Sequence, residues 1–327
     1  MTTAIVLTAG AGSKIFPYND TRQKCTIPIA NVPIVKRLVS GLASAGVTKI
    51  IIVIGHLGEQ VRHALRDVEG VQITYVKQRE LNGTAGAVLC AVDEVGDDAL
   101  GENCVIAYGD IVTTEDTLRA FIHAHREASP FASVLVQSLN DRDSRDWICA
   151  SVDGERLREV IGHPRGGAYR LCGIFAIHRD AIKYIRVNPG VMTSVPVGGM
   201  PPIESELAQS IQMMLEDGRE VRAVKCTDFL IDVDKPWHIL EATHYVLEQM
   251  AQQLDESIIA PSAKISDSAE INAPIVLGDG CVIGNRVVIN GPIWVDANTQ
   301  ITNGAILRGH NAFGRNCRIR DYCLVGG

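Results

Sequence analysis

Three features of common functional classes are missing from this sequence. No apolar stretch reaches the roughly 18 residues that a membrane-spanning helix needs. The formal net charge is −7 at pH 7, so the chain lacks the basic excess expected when nucleic acid or an anionic membrane is the main partner. The nine cysteines include no C-x-x-C pair, and their number is odd. Zinc sites and a disulfide framework are therefore not indicated.

The remaining bulk properties favour a cytoplasmic protein of two domains. We interpret the cysteines as reduced, mostly buried thiols of a reducing compartment. The N-terminus lacks the charged and then apolar layout of a signal peptide. A chain of 327 residues is long enough to build two domains with a well-buried core. We expect no nucleic-acid partner and no membrane partner.

The first candidate binding segment follows the first predicted strand. Residues 2–8 read TTAIVLT, a β-branched apolar run that predicts a buried parallel strand. Residues 9–12 (AGAG) then allow a sharp turn and bring backbone N–H groups close to a ligand. Lys14 and Lys24 add positive charge, and the combination suits a polyphosphate. The spacing fits neither a P-loop nor a dinucleotide fingerprint, and a tight turn without a ligand is the alternative.

Strand and helix signals alternate through the N-terminal part of the chain. Six apolar runs predict strands at 3–8, 49–54, 72–77, 103–107, 132–138 and 171–177. Amphipathic segments between them predict helices at 33–45, 57–67, 84–94 and 115–127. This alternation is typical of a doubly wound parallel sheet. We place a first domain at residues 1–254, including a linker helix at 237–254, and a second domain at 255–327.

The second domain carries a strict period of six residues. Every sixth position from Ile259 holds a large apolar residue, namely Ile259, Ile265, Ile271, Leu277, Ile283, Ile289, Val295, Ile301, Leu307, Phe313, Ile319 and Val325. This period fits neither a helix nor an ordinary strand, and it marks a hexapeptide-repeat solenoid. The pattern resembles the left-handed parallel β-helix of hexapeptide-repeat proteins. Because it runs to the last residues, we expect either a longer natural protein or a partner chain that covers this end.

With these elements in place, the chain resembles the sugar-phosphate nucleotidyltransferase family. Members combine a Rossmann-like doubly wound mixed sheet with, in many cases, a C-terminal left-handed β-helix. Residues 7–14 (LTAGAGSK) followed by Gln23-Lys24 are similar to the family signature L-x-x-G-x-G-[ST]-R followed by P-K. Here Lys14 replaces the arginine and Gln23 replaces the proline. The resemblance implies that the catalytic cations are Lys14 and Lys24 and that the nucleotide is held by Leu7, Ala9, Gly10, Ala11, Gly12 and Ser13.

A second motif, Gln78 with Gly83-Thr84, is similar to the family's base-reading loop. The resemblance implies that these three residues and Gly109 bind the nucleotide. A glutamine amide can donate and accept at once, so it can match an imide edge such as that of uracil. The alternative is a strand end followed by a helix N-cap at Thr84. We favour UTP as the donor, although GTAGA (83–87) is similar to the loop of guanylyltransferases.

Two acidic motifs indicate a metal site. Asp110 ends an apolar strand in YGD, and Asp232 lies in IDVDKPW. Carboxylates at the carboxyl ends of parallel strands face the ligand crevice, and two of them suit one Mg²⁺ ion. The resemblance implies that Asp110 and Asp232 hold Mg²⁺. Asp234 is the competing candidate for the second ligand, because this chain has a carboxylate where the family usually has glycine. The alternative is that these aspartates are solvated turn residues that bind no metal.

The sugar side departs from the family pattern. Residues 162–164 (GHP) replace the usual acidic turn, and 171–175 (LCGIF) lack the usual asparagine. Glu159, Gly173 and Glu204 are the predicted sugar-binding residues, and Arg165 and Arg170 are further polar candidates. We therefore expect an unusual sugar phosphate or a cyclitol phosphate as the acceptor.

The implied reaction is Mg²⁺-dependent nucleotidyl transfer to a sugar 1-phosphate or sugar-like phosphate, which releases pyrophosphate and forms an NDP-sugar. Two alternatives stay open. One is a bifunctional enzyme with acyltransferase activity in the β-helix, and the other is a catalytically silent subunit that binds nucleotide sugar. We expect a homo-oligomer, either a dimer or a trimer.

Overall fold

The structure is a computed structural model that describes residues 2–140, 143–164, 166–193 and 204–326. Its chain divides into two compact units. The α/β unit comprises Met1–Ile27 and Pro33–Pro236, and the β-helix unit comprises Pro28–Val32 and Trp237–Gly327. The domain limits predicted above, at residues 254 and 255, stay a prediction.

Thirteen strands and seven helices precede the repeats in the described residues. The strands are β1 (Thr3–Thr8), β2 (Pro28–Ile29), β3 (Val32–Pro33), β4 (Lys49–Ile54), β5 (Gln72–Lys77), β6 (Asn103–Tyr108), β7 (Ile111–Thr113), β8 (Ala132–Ser138), β9 (Ile148–Asp153), β10 (Arg156–Gly162), β11 (Tyr169–His178), β12 (Val221–Lys225) and β13 (Leu230–Asp232). The helices are α1 (Ile34–Ser44), α2 (Gly58–Leu65), α3 (Thr84–Val95), α4 (Glu115–Ala128), α5 (Ile182–Arg186), α6 (Leu207–Glu216) and α7 (Pro236–Gln252).

Nine of these strands form one sheet in the order β5-β4-β1-β6-β11-β8-β12-β10-β9. The strands β5, β4, β1 and β6 are mutually parallel, whereas β11 runs antiparallel to both β6 and β8. The sheet is therefore mixed, as the family resemblance implied, and it is not the wholly parallel sheet that the alternation alone suggested. In the second half of the sheet, β11 lies antiparallel between β6 and β8, and β9 pairs antiparallel with β10, arrangements that a count of alternating elements does not reveal.

Helices cover both faces of this sheet. In β1, Ala4 and Val6 join an apolar cluster with α1, α2 and α4, while Ile5 joins a second cluster with α3, α5 and α6. All three side chains are fully buried. A strand covered on both faces reads as a continuous apolar run, which is why TTAIVLT predicted a buried strand. The doubly wound α/β fold predicted for this region is confirmed.

The β-helix unit contains three parallel sheets of four strands each. Its strands are β14 (Ile258–Ile259), β15 (Lys264–Ile265), β16 (Glu270–Ile271), β17 (Ile275–Leu277), β18 (Val282–Ile283), β19 (Val288–Asn290), β20 (Ile293–Val295), β21 (Gln300–Ile301), β22 (Ile306–Arg308), β23 (Asn311–Phe313), β24 (Arg318–Ile319) and β25 (Leu324–Val325). Each pairs with the strand one turn later, so that Ile259 aligns with Leu277, Leu277 with Val295 and Val295 with Phe313. This stacking is consistent with the predicted left-handed β-helix.

The six-residue period places one side chain of each strand in the interior. All twelve predicted positions lie in strands, and the buried core runs from Leu277 to Phe313. Ile259, in the first turn, is 45 % exposed. One corner of successive turns is formed by Gly280, Asn298 and Asn316, whose φ angles are 67°, 59° and 56°. Glycine and asparagine tolerate this left-handed conformation, so the repeat selects them there.

Two smaller expectations can be compared with the structure. The structure has all nine cysteines as free thiols, and five of them are buried. Among the described residues, none of the helices has the length and apolar character needed to cross a bilayer.

Candidate active site

The carboxyl ends of the parallel strands bring three predicted motifs to one edge of the sheet. The glycine loop follows β1, Gln78 follows β5, and Asp110 follows β6. Because β5, β4, β1 and β6 are neighbours with the same direction, the segments that follow them share one edge. A cleft of ≈ 360 Å³ opens there. Its lining includes the predicted residues Leu7, Ala9, Gly10, Ala11, Gly12, Ser13, Lys24, Gln78, Gly83, Thr84, Asp110 and Glu204.

The glycine loop is tied to the turn that carries the second lysine. Gly12 has a φ angle of 65°, and a Cβ there would lie 3.1 Å from the Cβ of Lys24. Gln23 is buried, and its Nε2 donates to the carbonyl oxygen of Thr8 at 2.6 Å. Its Oε1 accepts from the backbone N–H of Cys25. The replacement of the family's proline by Gln23 therefore supplies a hydrogen-bonded brace between β1 and the Lys24 turn.

A short two-stranded sheet brings the carboxylates together. β7 pairs antiparallel with β13, and Ile111 aligns with Asp232. The backbone N–H of Val233 donates to the carbonyl oxygen of Asp110 at 3.1 Å. Asp110, Asp232 and Asp234 each place a carboxylate oxygen within 4.8 Å of the others. The structure thus brings together both predicted ligands and the competing one.

Both predicted catalytic lysines contact this cluster. Lys24 Nζ lies 2.7 Å from Asp234 Oδ1 and also pairs with Asp110. Lys14 Nζ lies 3.1 Å from Asp234 Oδ2. The Lys24 side chain is 12 % exposed and that of Lys14 is 63 % exposed, so the Lys24 pairs are the less screened by solvent.

The pKa values reflect the crowding of like charges. Burial, followed by the charges of Asp110 and Asp234, raises the pKa of Asp232 to about 8. Burial alone would lower the pKa of Lys24, but the three carboxylates hold it well above its usual range. A carboxyl with a raised pKa beside two others gains most from a cation that neutralises the cluster.

The carboxylates fit a divalent cation. Within the described part of the chain, Asp110 Oδ1 and Asp232 Oδ1 are buried oxygens with no hydrogen-bond partner. Buried carboxylate oxygens are costly unless they are paired or coordinate a metal. Hard oxygen ligands of this kind are those that Mg²⁺ prefers. Asp110 and Asp232, with Asp234 beside them, are therefore the residues that would hold the ion.

The predicted base-reading loop is held by a segment that the sequence did not single out. Gln78 is buried, and its Nε2 donates to Asn82 Oδ1 at 2.9 Å. Gly83 has a φ angle of 96°, and a Cβ there would lie 2.6 Å from the carbonyl oxygen of Ser205. α3 begins at Thr84 and its N-cap is Gly83, one residue before the N-cap in the alternative interpretation, and no side chain of the described residues caps this end of the helix.

Thr84 instead connects the two segments. Its hydroxyl donates to Glu206 Oε2 at 2.9 Å and accepts from the backbone N–H of Leu207 at 2.7 Å. Burial raises the pKa of Glu206. The sequence could have indicated Glu206 through its position just before the amphipathic helix α6. The sequence analysis did not predict that helix.

The structure places only some of the predicted sugar-binding residues at the cleft. Glu204 lines the cleft, while Glu159 lies in β10 and is not among the lining residues. Gly173 has a φ angle of 65°, and a Cβ there would lie 2.7 Å from the ring of Tyr108, which lines the cleft. A side chain at this position would therefore push Tyr108 into the cleft or distort β11.

Three predicted site residues remain to be placed in the structure. A Cβ at Gly109 would lie 2.6 Å from Thr8 Cγ2, so a glycine allows β6 to turn against β1. Arg170 is buried and donates to Gln137 Oε1 at 2.8 Å and to the carbonyl oxygen of Leu230 at 3.0 Å, which makes it a brace for β13. Arg165 lies outside the described residues.

Comparison with known proteins identifies the family and several relatives of this chain. Residues 3–166 match the sequence model of the nucleotidyl transferase family. The chain is 26 % identical to a glucose-1-phosphate thymidylyltransferase of Streptomyces antibioticus over 97 % of its own length and 83 % of the relative's. It is 21 % identical to mannose-1-phosphate guanylyltransferase 1 of Arabidopsis thaliana over 99 % of its length and 90 % of the relative's.

A solved structure supports the fold. The UDP-glucose pyrophosphorylase of Acinetobacter baumannii superposes with a TM-score of 0.64 at 18 % identity, covering 78 % of this chain and 98 % of that one. At this identity the likeness concerns the fold alone. The family match spans half of the chain and includes the glycine loop, both lysines, the base-reading loop and Asp110. This chain belongs to the nucleotidyl transferase family.

Proposed function

We propose that this protein is a sugar-1-phosphate nucleotidyltransferase. It would transfer a nucleotidyl group from a nucleoside triphosphate to a sugar 1-phosphate or a cyclitol phosphate, and form an NDP-sugar and pyrophosphate. The observation that carries this proposal is the convergence of a glycine loop, two lysines and three carboxylates at one sheet edge. These are the groups needed to hold a polyphosphate together with a divalent cation.

The proposed chemistry needs no covalent protein intermediate. A phosphate oxygen of the acceptor attacks the α-phosphorus in line, a new P–O bond forms, and the bond to the β-phosphate breaks with release of pyrophosphate. Lys14 and Lys24 would neutralise the negative charge of the phosphates, and backbone N–H groups of residues 9–13 would orient them. Bound Mg²⁺, held by Asp110 and Asp232, supplies further charge neutralisation. Positioning and electrostatic stabilisation then provide most of the acceleration.

The donor base is proposed from the base-reading loop. Gln78 lines the cleft and is buried, and its Nε2 is already oriented by Asn82. We favour UTP, because a glutamine amide complements an imide edge. The relatives named above act, by their names, on thymidine, guanosine and uridine nucleotides, so the base has to be measured.

The acceptor is proposed to be a sugar 1-phosphate or a related cyclitol phosphate. Both sequence relatives named above act on sugar 1-phosphates by their names. In this chain, Glu204 lines the cleft, and Gly173 keeps Tyr108 in place against it. A polyhydroxylated acceptor with hydrogen-bond donors would suit the carboxylate of Glu204.

The direct test is pyrophosphate release across a grid of nucleoside triphosphates and sugar or cyclitol 1-phosphates, with Mg²⁺. We expect a signal that requires both substrates and is lost in Asp110→Asn. Asp116→Asn is the matched control, since this exposed carboxylate on α4 pairs with Arg119 across one helical turn. A flat grid from folded wild-type protein would contradict the proposal and favour the silent-subunit alternative. Acetyl-CoA consumption would support the acyltransferase alternative.

We also propose a cytoplasmic location and a homo-oligomer, a dimer or a trimer. The odd number of cysteines and the lack of a C-x-x-C pair, which we interpret as reduced thiols, support the location. Light scattering of the purified full chain would give the oligomeric state.

A further inference from the structure

We propose that Asp234 is an internal substitute for phosphate, which occupies both catalytic lysines and makes the site reject polyphosphates that arrive without a divalent cation. This inference rests on the proposed function, because it assumes that nucleotide phosphates bind at Lys14 and Lys24. It assigns to Asp234 a role in selecting the metal-bound form of the substrate.

The first support is the contact geometry. One oxygen of Asp234 lies 2.7 Å from Lys24 Nζ and the other lies 3.1 Å from Lys14 Nζ. A single carboxylate therefore bridges two ammonium groups that come from different turns of the glycine-loop region. Two oxygens of a phosphate group accept from two such donors in the same way, so an incoming phosphate would compete for both lysines.

The second support is that the backbone fixes Asp234 in this position. The backbone N–H of Asp234 donates to the carbonyl oxygen of Asp232 at 2.9 Å, and that of Val233 donates to Asp110 at 3.1 Å. The Asp234 side chain is 22 % exposed. It is therefore part of the loop that presents the metal-binding carboxylates, and not a surface side chain that happens to lie near a lysine.

The third support is the balance of charge. Three carboxylates share this edge with two lysines, and the oxygens of the three lie within 4.8 Å of one another. A metal-free polyphosphate would have to take the lysines from Asp234 and leave its carboxylate without these two cations beside the carboxyl groups of Asp110 and Asp232. A polyphosphate with a bound divalent cation brings a positive partner for the carboxylates as it takes the lysines. The lysines therefore exchange Asp234 for phosphate favourably only when the polyphosphate carries a divalent cation.

The contribution of the two lysines should differ. Lys24 is nearly buried, whereas the Lys14 side chain is 63 % exposed and partly screened by water. Most of the competition should therefore concern Lys24.

The test measures binding without turnover. Inorganic tripolyphosphate is titrated calorimetrically into the full chain, once with EDTA and once with Mg²⁺, for wild type, Asp234→Asn and Asp234→Gly. Removal of the carboxylate should tighten metal-free binding about tenfold or more, the scale of one weakly screened charge pair. The gain in affinity that Mg²⁺ gives should shrink by a similar factor. Asp116→Asn is the distant-carboxylate control, and thermal unfolding verifies that each variant is folded.

Unchanged or weaker binding of metal-free tripolyphosphate by both Asp234 variants would overturn the inference. Lys24→Gln in the Asp234→Asn background should remove the gain, and a gain that persists would also overturn it. The failure of the proposed function is separate: it would appear as wild-type protein that binds tripolyphosphate with Mg²⁺ yet releases no pyrophosphate in the substrate grid. The binding of tripolyphosphate in EDTA by wild type and by the Asp234 variants tests the role of Asp234 whatever the substrate grid shows.

Discussion

The two units of this protein use opposite designs. In the β-helix unit the same type of contact recurs in successive turns, with apolar side chains stacked in the core from Ile275 to Phe313 and glycine or asparagine at a corner. The α/β unit also has an apolar core, but one of its sheet edges gathers two lysines and three carboxylates, where the pKa values of Lys24 and Asp232 are raised. The difference teaches that the candidate active site lies where the pattern is broken, and we expect the periodic unit to serve as a scaffold.

The largest expected effect is the loss of activity when a carboxylate of the candidate active site is removed. Asp110→Asn should lower kcat/KM by about 10³-fold or more, because it removes a charge that holds the cation at the reacting phosphates. Thermal unfolding should show that the variant is folded, since neutralising one of three crowded carboxylates relieves repulsion. Steady-state pyrophosphate release measures the loss, and a variant within tenfold of wild type would remove Asp110 from the mechanism.

The next effect concerns the periodic unit. Leu307 is fully buried in the β-helix core, and Leu307→Ala should reduce the free energy of unfolding by about 2–5 kcal/mol. Leu324→Ala is the matched control, because Leu324 is 61 % exposed and should cost less than about 1 kcal/mol. Urea denaturation measures both variants. We expect kcat of the folded Leu307 variant to stay close to that of wild type, and a large fall in kcat would contradict the scaffold role.

A third prediction concerns acid stability of the α/β unit. Burial lowers the pKa of His125 to about 4 from its usual 6.5. The ring is held between Ser133 and Asn103 by hydrogen bonds at 2.8 and 3.1 Å. Between pH 4 and pH 6.5 the unfolded chain binds more protons at His125 than the folded chain does. The stability contributed by neutral His125 is therefore present above pH 6.5 and is lost as the pH falls towards 4. The loss should reach about 2–3 kcal/mol.

Urea unfolding at several pH values between 4.5 and 7 measures this slope. His125→Gln should flatten it, whereas His123→Gln, on the exposed face of the same helix, should leave it unchanged. Equal slopes in wild type and His125→Gln would show that His125 is not the acid-sensitive group.

The smallest effect is expected at Lys14. Its side chain is 63 % exposed and its pair with Asp234 is partly screened, so Lys14→Arg should change kcat/KM by less than about fivefold. Lys14→Gln should lower it by about 10–100-fold, because the positive charge is lost. The two variants are compared in the same pyrophosphate assay. Equal losses for Arg and Gln would indicate that the site depends on the shape of the lysine and not on its charge.

Much of both units could be predicted from the sequence, for different reasons. The twelve apolar positions from Ile259 to Val325 all lie in strands because a solenoid repeats one local environment. The first parallel strands were also predictable, since strands such as β1 and β4 are buried on both faces and read as apolar runs. By contrast, β9 and β10 mix buried, partly buried and exposed positions and lack long apolar runs, and they were not predicted.

The site was predictable where one motif carries its own signal. The glycine loop, Gln78 and Asp110 each follow an apolar strand, and the parallel order brings them to one edge. Contacts between distant side chains that no motif pairs were not predictable. The hydrogen bond from Thr84 to Glu206 joins residues 122 positions apart, and the bridge from Asp234 to Lys14 spans 220 positions. Nothing local in the sequence specifies which of several acidic residues completes such a pair.

The most direct test of the central claim is the requirement for two substrates in pyrophosphate release. Full-length protein is incubated with Mg²⁺ and the nucleoside triphosphate that gives a signal, with and without the sugar or cyclitol 1-phosphate. We predict pyrophosphate only when both are present, in equal amount to a nucleotide sugar identified by mass spectrometry, and none from Asp110→Asn. Pyrophosphate that forms without the acceptor, or that persists in Asp110→Asn, would contradict the account.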